Sequence, residues 1–184
     1  MACAKTSALN SGKGMLVVID PAVKDHDFLA ARVLGGAQVI VLKAEQDAIA
    51  QITSALCVPA SEHTSPFNSI HIIVPGSPGV LHFSNGTFSL KTLKQYVNQL
   101  QTWFATGDRA TDTQPLEPQV LLYGRQVGAG QSGTELIDTL SWLTGAVVIA
   151  AKNGERWPSA ADQSVELAFP PSVQQSYQGT FSKQ

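Results

Sequence analysis

The sequence predicts an α/β fold, a three-layer sandwich in which helices cover both faces of a mostly parallel sheet of five or six strands. Five short segments rich in Val and Ile are separated by stretches with the 3.6-residue periodicity of amphipathic helices. The strand segments are nearly continuous apolar runs, which is typical of strands buried on both faces. Strands that alternate with helices in this way favour parallel pairing through helical crossovers.

Each predicted strand is a run of six residues with few polar interruptions. The strands are MLVVID (15–20), QVIVLK (38–43), SIHIIV (69–74), QVLLYG (119–124) and AVVIAA (146–151). Right-handed crossovers would place all five carboxyl ends along one edge of the sheet, where open α/β sheets bind ligands. We therefore expect any site at this edge, near Asp20, 75–79, 124–133 and 152–157.

Four predicted helices follow the first four strands. They are HDFLAARVL (26–34), EQDAIAQITSAL (45–56), SLKTLKQYVNQLQTWF (89–104) and SGTELIDTLSWL (132–143). The third is the clearest, because six apolar side chains fall on one helical face. These are Leu90, Leu93, Tyr96, Val97, Leu100 and Phe104.

Two segments depart from the alternating pattern. Asn85-Gly86, the dipeptide favoured in type I′ turns, lies between short β-prone runs and predicts a small antiparallel hairpin after the third strand. Residues 106–118 form a long polar loop. The sequence thus divides into a flexible N-terminus (1–14), one α/β domain (15–157), and a segment (158–184) with an edge strand at SVELAF and an extended tail or linker.

The composition excludes several classes of function. Twelve Lys and Arg residues against 14 Asp and Glu, out of 184, leave no basic footprint for nucleic acid. No apolar run is long enough to span a membrane, and the start MACAKTSALNSGKG lacks the apolar core of a secretory signal. We expect a cytoplasmic protein, or alternatively a surface protein exported by a signal elsewhere. Cys3 and Cys57 are interpreted as free thiols in a reducing compartment.

The motif GAGQSG (128–133) has the GxGxxG spacing of dinucleotide sites and lies between a strand and a helix. Three residues separate it from the strand, whereas the dinucleotide motif begins at the strand end. Lys152 also stands where such sites carry an acid. The glycines then shape a tight βα loop, and binding of a nucleotide or small anion to this loop and Lys152 stays an alternative.

The sequence shows no clear motif for a serine hydrolase site or a metal site. Ser77 and Ser132 lack the GxSxG context, and no acid or His stands in an obvious triad relation to them. The four His residues show no metal-ligand spacing, so no metal site is predicted. His71 is interpreted as a core residue, and His82 on the hairpin would face the same edge as Pro75.

Several segments, taken in order, resemble the bacterial domain of unknown function 4347, which is similar to caspase-like cysteine peptidases. They include LVVIDPAVKDHDFLA, IHIIVPGSPGVLHFSNGTFSLKTLKQYVNQLQTW and VLLYGRQVGAG. The resemblance implies Ser-His-Gly after the third strand and Tyr-Gly-Cys followed by Asn after the fourth. The matching positions here are Val74, Pro75 and Gly76, then Tyr123, Gly124, Arg125 and Gln126.

Both members of the implied catalytic dyad are therefore missing. Pro75 accepts no proton, and a guanidinium such as that of Arg125 is neither a nucleophile nor a base. Cys57 ends a predicted helix, where the helix dipole disfavours a thiolate. We expect no catalytic residue and no cofactor.

The sequence thus predicts a non-catalytic interaction or assembly domain of a larger cyanobacterial-type complex or multidomain protein. Arg125 either binds a carboxylate of the protein partner or forms a structural salt bridge with an acid such as Asp20. A domain of a surface adhesin is a further alternative. The expected binding positions are Gly76, Ser77, Arg125, Gln126, Gly128, Gly130 and Lys152.

Overall fold

Five parallel strands form the central sheet of the computed structural model, which describes residues 14–57, 67–104, 117–152, 155, 157–158, 166–177 and 179. The strands are β1 (Met15–Ile19), β2 (Gln38–Val41), β3 (Ser69–Ile73), β7 (Gln119–Leu122) and β8 (Val147–Ala150). Their order is β2-β1-β3-β7-β8, and every neighbouring pair is parallel. The predicted sandwich with a mostly parallel sheet is confirmed.

Helices cover both faces of this sheet. They are α1 (His26–Ala30), α2 (Ala48–Leu56), α3 (Leu90–Leu93), α4 (Val97–Leu100), α5 (Gly130–Thr144) and α6 (Pro171–Ser176). Alternate strand residues enter two separate apolar clusters, because successive side chains of a strand point to opposite faces. One cluster packs the sheet against α2 to α5, and the other packs it against α1 and α6.

Three short antiparallel strands form a second sheet directly after β3. They are β4 (Gly76–Ser77), β5 (Val80–Phe83) and β6 (Gly86–Ser89). Phe83 pairs with Gly86, so the turn residues are Ser84 and Asn85, and neither has a positive φ. The predicted type I′ turn at Asn85-Gly86 is therefore wrong by one residue. Hydrogen bonds from Ser84 to Asp20 hold the turn in the observed register.

The predicted helix over residues 89–104 is divided into α3, a 3-10 turn at Lys94–Tyr96, and α4. Ser89 and Thr92 form a capping box at the start of α3. Tyr96 leaves the helical region, with φ −111° and ψ 5°, and its hydroxyl donates to Asp47 Oδ2 at 2.6 Å. This tertiary hydrogen bond overrides the regular period of the sequence.

The C-terminal segment differs from the extended tail that the sequence favours. Residues 171–176 form α6, and Phe169, Val173 and Tyr177 are buried in the cluster beside α1. No strand is present at 166–169, the described part of the predicted edge strand. Proline at the first helical position starts α6, since its missing N–H costs nothing there.

Some predictions fall on parts of the chain outside the described residues. These are the N-terminus with Cys3, apart from Gly14, and the polar loop 106–118, apart from its last two residues.

A buried hydrogen-bond chain joins β3, β7 and the C-terminal segment. The hydroxyl of Tyr123 lies 2.8 Å from Nδ1 of His71 and accepts the amide of Ala168 at 2.9 Å. Nε2 of His71 lies 3.2 Å from Ser69 Oγ. Burial lowers the pKa of His71 to about 3 and raises that of Tyr123, so both groups are neutral.

This chain of hydrogen bonds makes stability depend on pH. Below pH 6.5 the unfolded chain protonates His71 while the folded protein does not, so the free energy of unfolding falls as the pH drops from 6.5 toward 3. We expect a loss of about 1.4 kcal/mol per pH unit from this residue. His71→Gln keeps an acceptor for Tyr123 and should flatten the dependence, measured by urea unfolding at several pH values. His26→Gln, on α1, serves as the control, and equal slopes in both variants and the wild type would contradict the prediction.

Candidate functional site

Two glycines bring the ends of β3 and β7 into direct backbone contact. A Cβ atom on Gly76 would lie 2.4 Å from Cγ2 of Val127 and 2.8 Å from Cα of Gly124. A Cβ atom on Gly124 would lie 2.6 Å from the same Val127 methyl. Glycine is needed here for space, since any side chain would clash. The carboxyl edge is consequently closed between these two strands.

Pro75 occupies the position where the family resemblance implies a catalytic His. It is buried, and its carbonyl accepts the amide of His82 at 2.8 Å. This bond ties the end of β3 to β5. Pro75 thus contributes backbone geometry to the edge, and its ring offers no group that takes up a proton.

Arg125, at the position implied for the nucleophile, lies in a tight turn between β7 and α5. The amide of Val127 donates to Gly124 and that of Ala129 donates to Gln126, at 3.3 and 2.9 Å. Gln126 adopts a left-handed φ of 58°, which few residues other than glycine favour. The buried Val127 anchors the turn from below, and the side chain of Arg125 is exposed at its tip.

Asp20 ends β1 at the same edge, but it does not pair with Arg125. Its carboxylate, in a residue only 2 % exposed, accepts the amide of Ala22 at 2.8 Å. It also accepts the amide of Ser84 at 3.0 Å and the hydroxyl of Ser84 at 2.5 Å. The expected alternative of an Asp20–Arg125 salt bridge is therefore wrong, and Arg125 forms no ion pair with any described residue.

The Asp20–Ser84 contact also fills the place where such sheets bind ligands. In the order β2-β1-β3, the second strand is added on one side of β1 and the third on the other, and doubly wound folds place a ligand in the crevice at such a reversal of strand order. Here the turn between β5 and β6 is hydrogen-bonded to the end of β1 at that point. Sequence reasoning missed Ser84, because only the fold brings it to Asp20.

The glycines of the GxGxxG motif are explained by packing. The amide of Gly128 donates to the carbonyl of Ala151 at 3.1 Å, and a Cβ atom on Gly133 would lie 2.5 Å from the backbone of Gly128. Gly130, with φ 67°, starts α5. Because the Gly128 amide is already bonded within the protein, it is not free to hold a phosphate.

The structure places most of the predicted binding positions together. Gly79 donates its amide to the carbonyl of Val127 at 3.0 Å, which joins the β4–β5 turn to the β7–α5 loop. Lys152 follows β8, one strand further along the edge, and its side chain is exposed. The positions that share the joined loops are Gly76, Ser77, Arg125, Gln126, Gly128 and Gly130.

Ser77 has a histidine partner that the sequence did not reveal. Its Oγ lies 2.8 Å from Nε2 of His82. The two residues are diagonal neighbours on one face of the small sheet, because Ser77 pairs with Val80 and alternate residues of β5 share a face. A serine in contact with an imidazole is the first element of a nucleophilic pair. The signal in the sequence that could have revealed this pair was the short spacing of Ser77 and His82 within the predicted hairpin region.

Cys57 lies far from this edge. It caps the C-terminus of α2, which begins at Ala48, after its N-cap Asp47, and runs back toward the start of β3. A helix of nine residues spans roughly 13 Å, so Cys57 is near the amino ends of the strands.

A small recess lies on the β2 side of the edge. It has a volume of about 60 Å³ and is lined by residues that include Asp47, Asn85, Thr87 and Tyr96. The hydrogen bond to Asp47 raises the pKa of Tyr96 to about 12, so its hydroxyl stays protonated. This volume fits a few water molecules and is well below the several hundred Å³ of typical ligand pockets.

Within the described ranges, no group of three or more His, Cys, Asp or Glu side chains is placed to hold a metal ion. None of the helices described is both long and apolar enough to cross a membrane.

Comparison with known proteins identifies the family. The model of DUF4347, a domain of unknown function, matches residues 16–181. Because the match covers most of the sequence, the chain belongs to this family, as its resemblance indicated. The matched range includes α6 and the buried C-terminal segment. No curated protein and no solved structure matches the chain.

The close approach of Gly76 to Gly124 predicts a large effect of a single methyl group. Gly76→Ala places its Cβ against backbone atoms that have no alternative position, so we expect a loss of about 1–3 kcal/mol in the free energy of unfolding. Gly35→Ala is the matched control, because nothing lies within 4 Å of its Cβ. Urea denaturation of both variants measures the difference. Similar stability of both variants would contradict the close contact.

Proposed function

We propose that this DUF4347 domain is a non-catalytic protein-binding module, a caspase-like fold in which Arg125 binds a carboxylate of a protein partner. The proposal rests on the exposure of Arg125 and on its lack of an ion-pair partner among the described residues. Its guanidinium is exposed on an anchored turn and is not paired with any acid among the described residues. An exposed guanidinium on a fixed backbone matches the planar, bidentate geometry of a carboxylate.

The absence of the dyad side chains supports binding over peptidase chemistry. The family resemblance implies a His and a Cys at the positions that hold Pro75 and Arg125 in this sequence. Neither residue can carry out proton transfer or nucleophilic attack.

The surface around Arg125 suits recognition by a protein. Arg is enriched in protein interfaces, and a guanidinium there loses less hydration energy than an ammonium. Charged residues make up only 14 % of the chain, so few other groups repel an incoming surface. The resemblance to domains of large multidomain bacterial proteins favours a role in assembly. A domain of a surface adhesin would be one example of such an assembly role.

Reactive probes test the non-catalytic part of the proposal. We expect no covalent adduct when the protein is incubated with an acyloxymethyl ketone, which labels cysteine peptidases, or a fluorophosphonate, which labels activated serines. Intact-mass spectrometry detects either adduct. The double variant Pro75→His with Arg125→Cys shows whether the ketone labels a restored pair.

Labelling of the wild type would contradict the proposal, and two variants identify its source. Loss of the ketone adduct in Cys57→Ser would mean that the nucleophile has moved. Loss of the fluorophosphonate adduct in Ser77→Ala would make the Ser77–His82 pair a catalytic one.

Selection from a random peptide library tests the binding part. Peptides enriched on the wild type should share an Asp, a Glu or a free C-terminus. Their affinity should fall about tenfold or more in Arg125→Gln, since a hydrogen bond between charged groups contributes about 1.5–3 kcal/mol. Fluorescence anisotropy measures the affinity. The two control variants are Arg32→Gln, just beyond the end of α1, and Lys152→Gln, which changes the other cationic binding position predicted at this edge.

Two outcomes of the selection count against Arg125. One is enrichment of peptides without any carboxylate. The other is an equal loss of affinity in Arg125→Gln and in both control variants, which would indicate a general effect of positive charge.

A further inference from the structure

β2 is an edge strand whose outer backbone groups have no partner in the protein. The amide of Leu42 donates to the carbonyl of Ile19 at 2.9 Å. Alternate residues of a strand direct their backbone groups to the same side, so Ile40 also faces β1. The amide and carbonyl groups of Val39 and Val41 therefore point away from the sheet. No described residue bonds to them.

The unpaired stretch has sharp limits at both ends. The amide of Ala37 is bonded to the carbonyl of Leu34 at 3.3 Å. The side chain of Gln51 bonds the amide and the carbonyl of Lys43, at 2.9 and 3.1 Å. Four backbone groups, two donors and two acceptors, are left open between these caps.

We propose that two copies of this chain associate through β2, with the two strands antiparallel about a twofold axis that passes between the Ile40 residues. In this register Val39 of each copy lies opposite Val41 of the other. Opposed residues of this kind exchange both of their backbone hydrogen bonds, so the four open groups of each copy are all satisfied. The two five-stranded sheets then become continuous.

The pattern of open groups favours a second copy over an unrelated peptide. A twofold axis pairs the same patch on both subunits, and the two open residues are related to each other by that axis. Their β-branched side chains form cross-strand pairs of a favourable type. The open edge is also short, so a partner must offer a strand whose unpaired backbone groups have the same spacing.

The side chains of β2 do not prevent this pairing. Exposed edge strands usually carry a charged residue, a proline or a bulge that blocks association, and Gln38–Val41 contains neither a charge nor a proline. Val41 is 42 % exposed, one of two large apolar side chains that are exposed in the described chain. Lys43 falls opposite Ala37 of the other copy, so no like charges face each other across the axis.

This association is separate from the proposed binding site. Two strands, β1 and β3, lie between β2 and β7, whose end leads to Arg125. The dimer and the carboxylate site can therefore each exist without the other, and each has its own test.

Sedimentation of the full chain over a range of concentrations tests the dimer. We expect the mass to rise to twice that of one chain. Over the same range, amide hydrogen exchange should slow at Val39 and Val41. It should stay unchanged at Ile40, whose amide already donates to β1. This comparison needs no variant.

Variants at position 41 give the second test. Val41→Lys places a charge in the centre of the interface, and we expect its mass to stay that of one chain where the wild type has doubled. Val41→Thr keeps the β-branched shape and should still dimerise. Circular dichroism and thermal unfolding confirm that both variants are folded.

Three results would overturn the proposal. The first is a mass of one chain at every concentration. The second is a dimer in which Val39 and Val41 exchange as fast as in dilute solution, because the contact then lies elsewhere. The third is protection of both amides that does not depend on concentration, which would assign the edge to another segment of the same chain.

Discussion

The hydrogen bond between Tyr123 and His71 is the interaction on which the second face of the sheet depends. It is fully buried, and burial keeps both groups neutral by lowering the pKa of His71 and raising that of Tyr123. Tyr123 also accepts the amide of Ala168, and its ring meets Phe169 edge to face, with centroids 6.0 Å apart. This side chain therefore helps to fix the C-terminal segment on the sheet. Tyr123 immediately precedes the Gly124–Arg125 turn, so the same contact sets the position of the proposed binding residue.

The carboxyl edge of the sheet is closed by packing. Gly76 against Gly124 closes it between β3 and β7, and Ser84 on Asp20 closes it between β1 and β3. In doubly wound proteins the second of these places, where the strand order reverses, is where a ligand binds. Closing them leaves the outer surface of the loops as the part of this edge that is open to other molecules. A surface of this kind binds a protein partner more readily than a small molecule, because small molecules bind in concave pockets.

The sequence predicted the elements that depend on local pattern. Continuous apolar runs located all five strands, and the positions of Pro75 and Arg125 followed from their places after two of them. The missed features depend on contacts between distant residues. Asn85-Gly86 favours one turn locally, but the buried bonds of Asp20 to Ser84 select another. The tail after residue 158 has weak periodicity, and only the shape of the sheet shows what it covers.

The packing of the C-terminal segment affects how the domain folds during synthesis. β1, near the start of the chain, shares its apolar cluster with Val173 and Tyr177, and the hydroxyl of Tyr177 donates to the carbonyl of Lys24. The cluster therefore cannot close until residues 173–177 have left the ribosome. Before then one face of a parallel sheet is without its cover, and long-range pairing of this kind forms slowly. The nascent chain is thus exposed to aggregation and to chaperones until residue 177 has emerged.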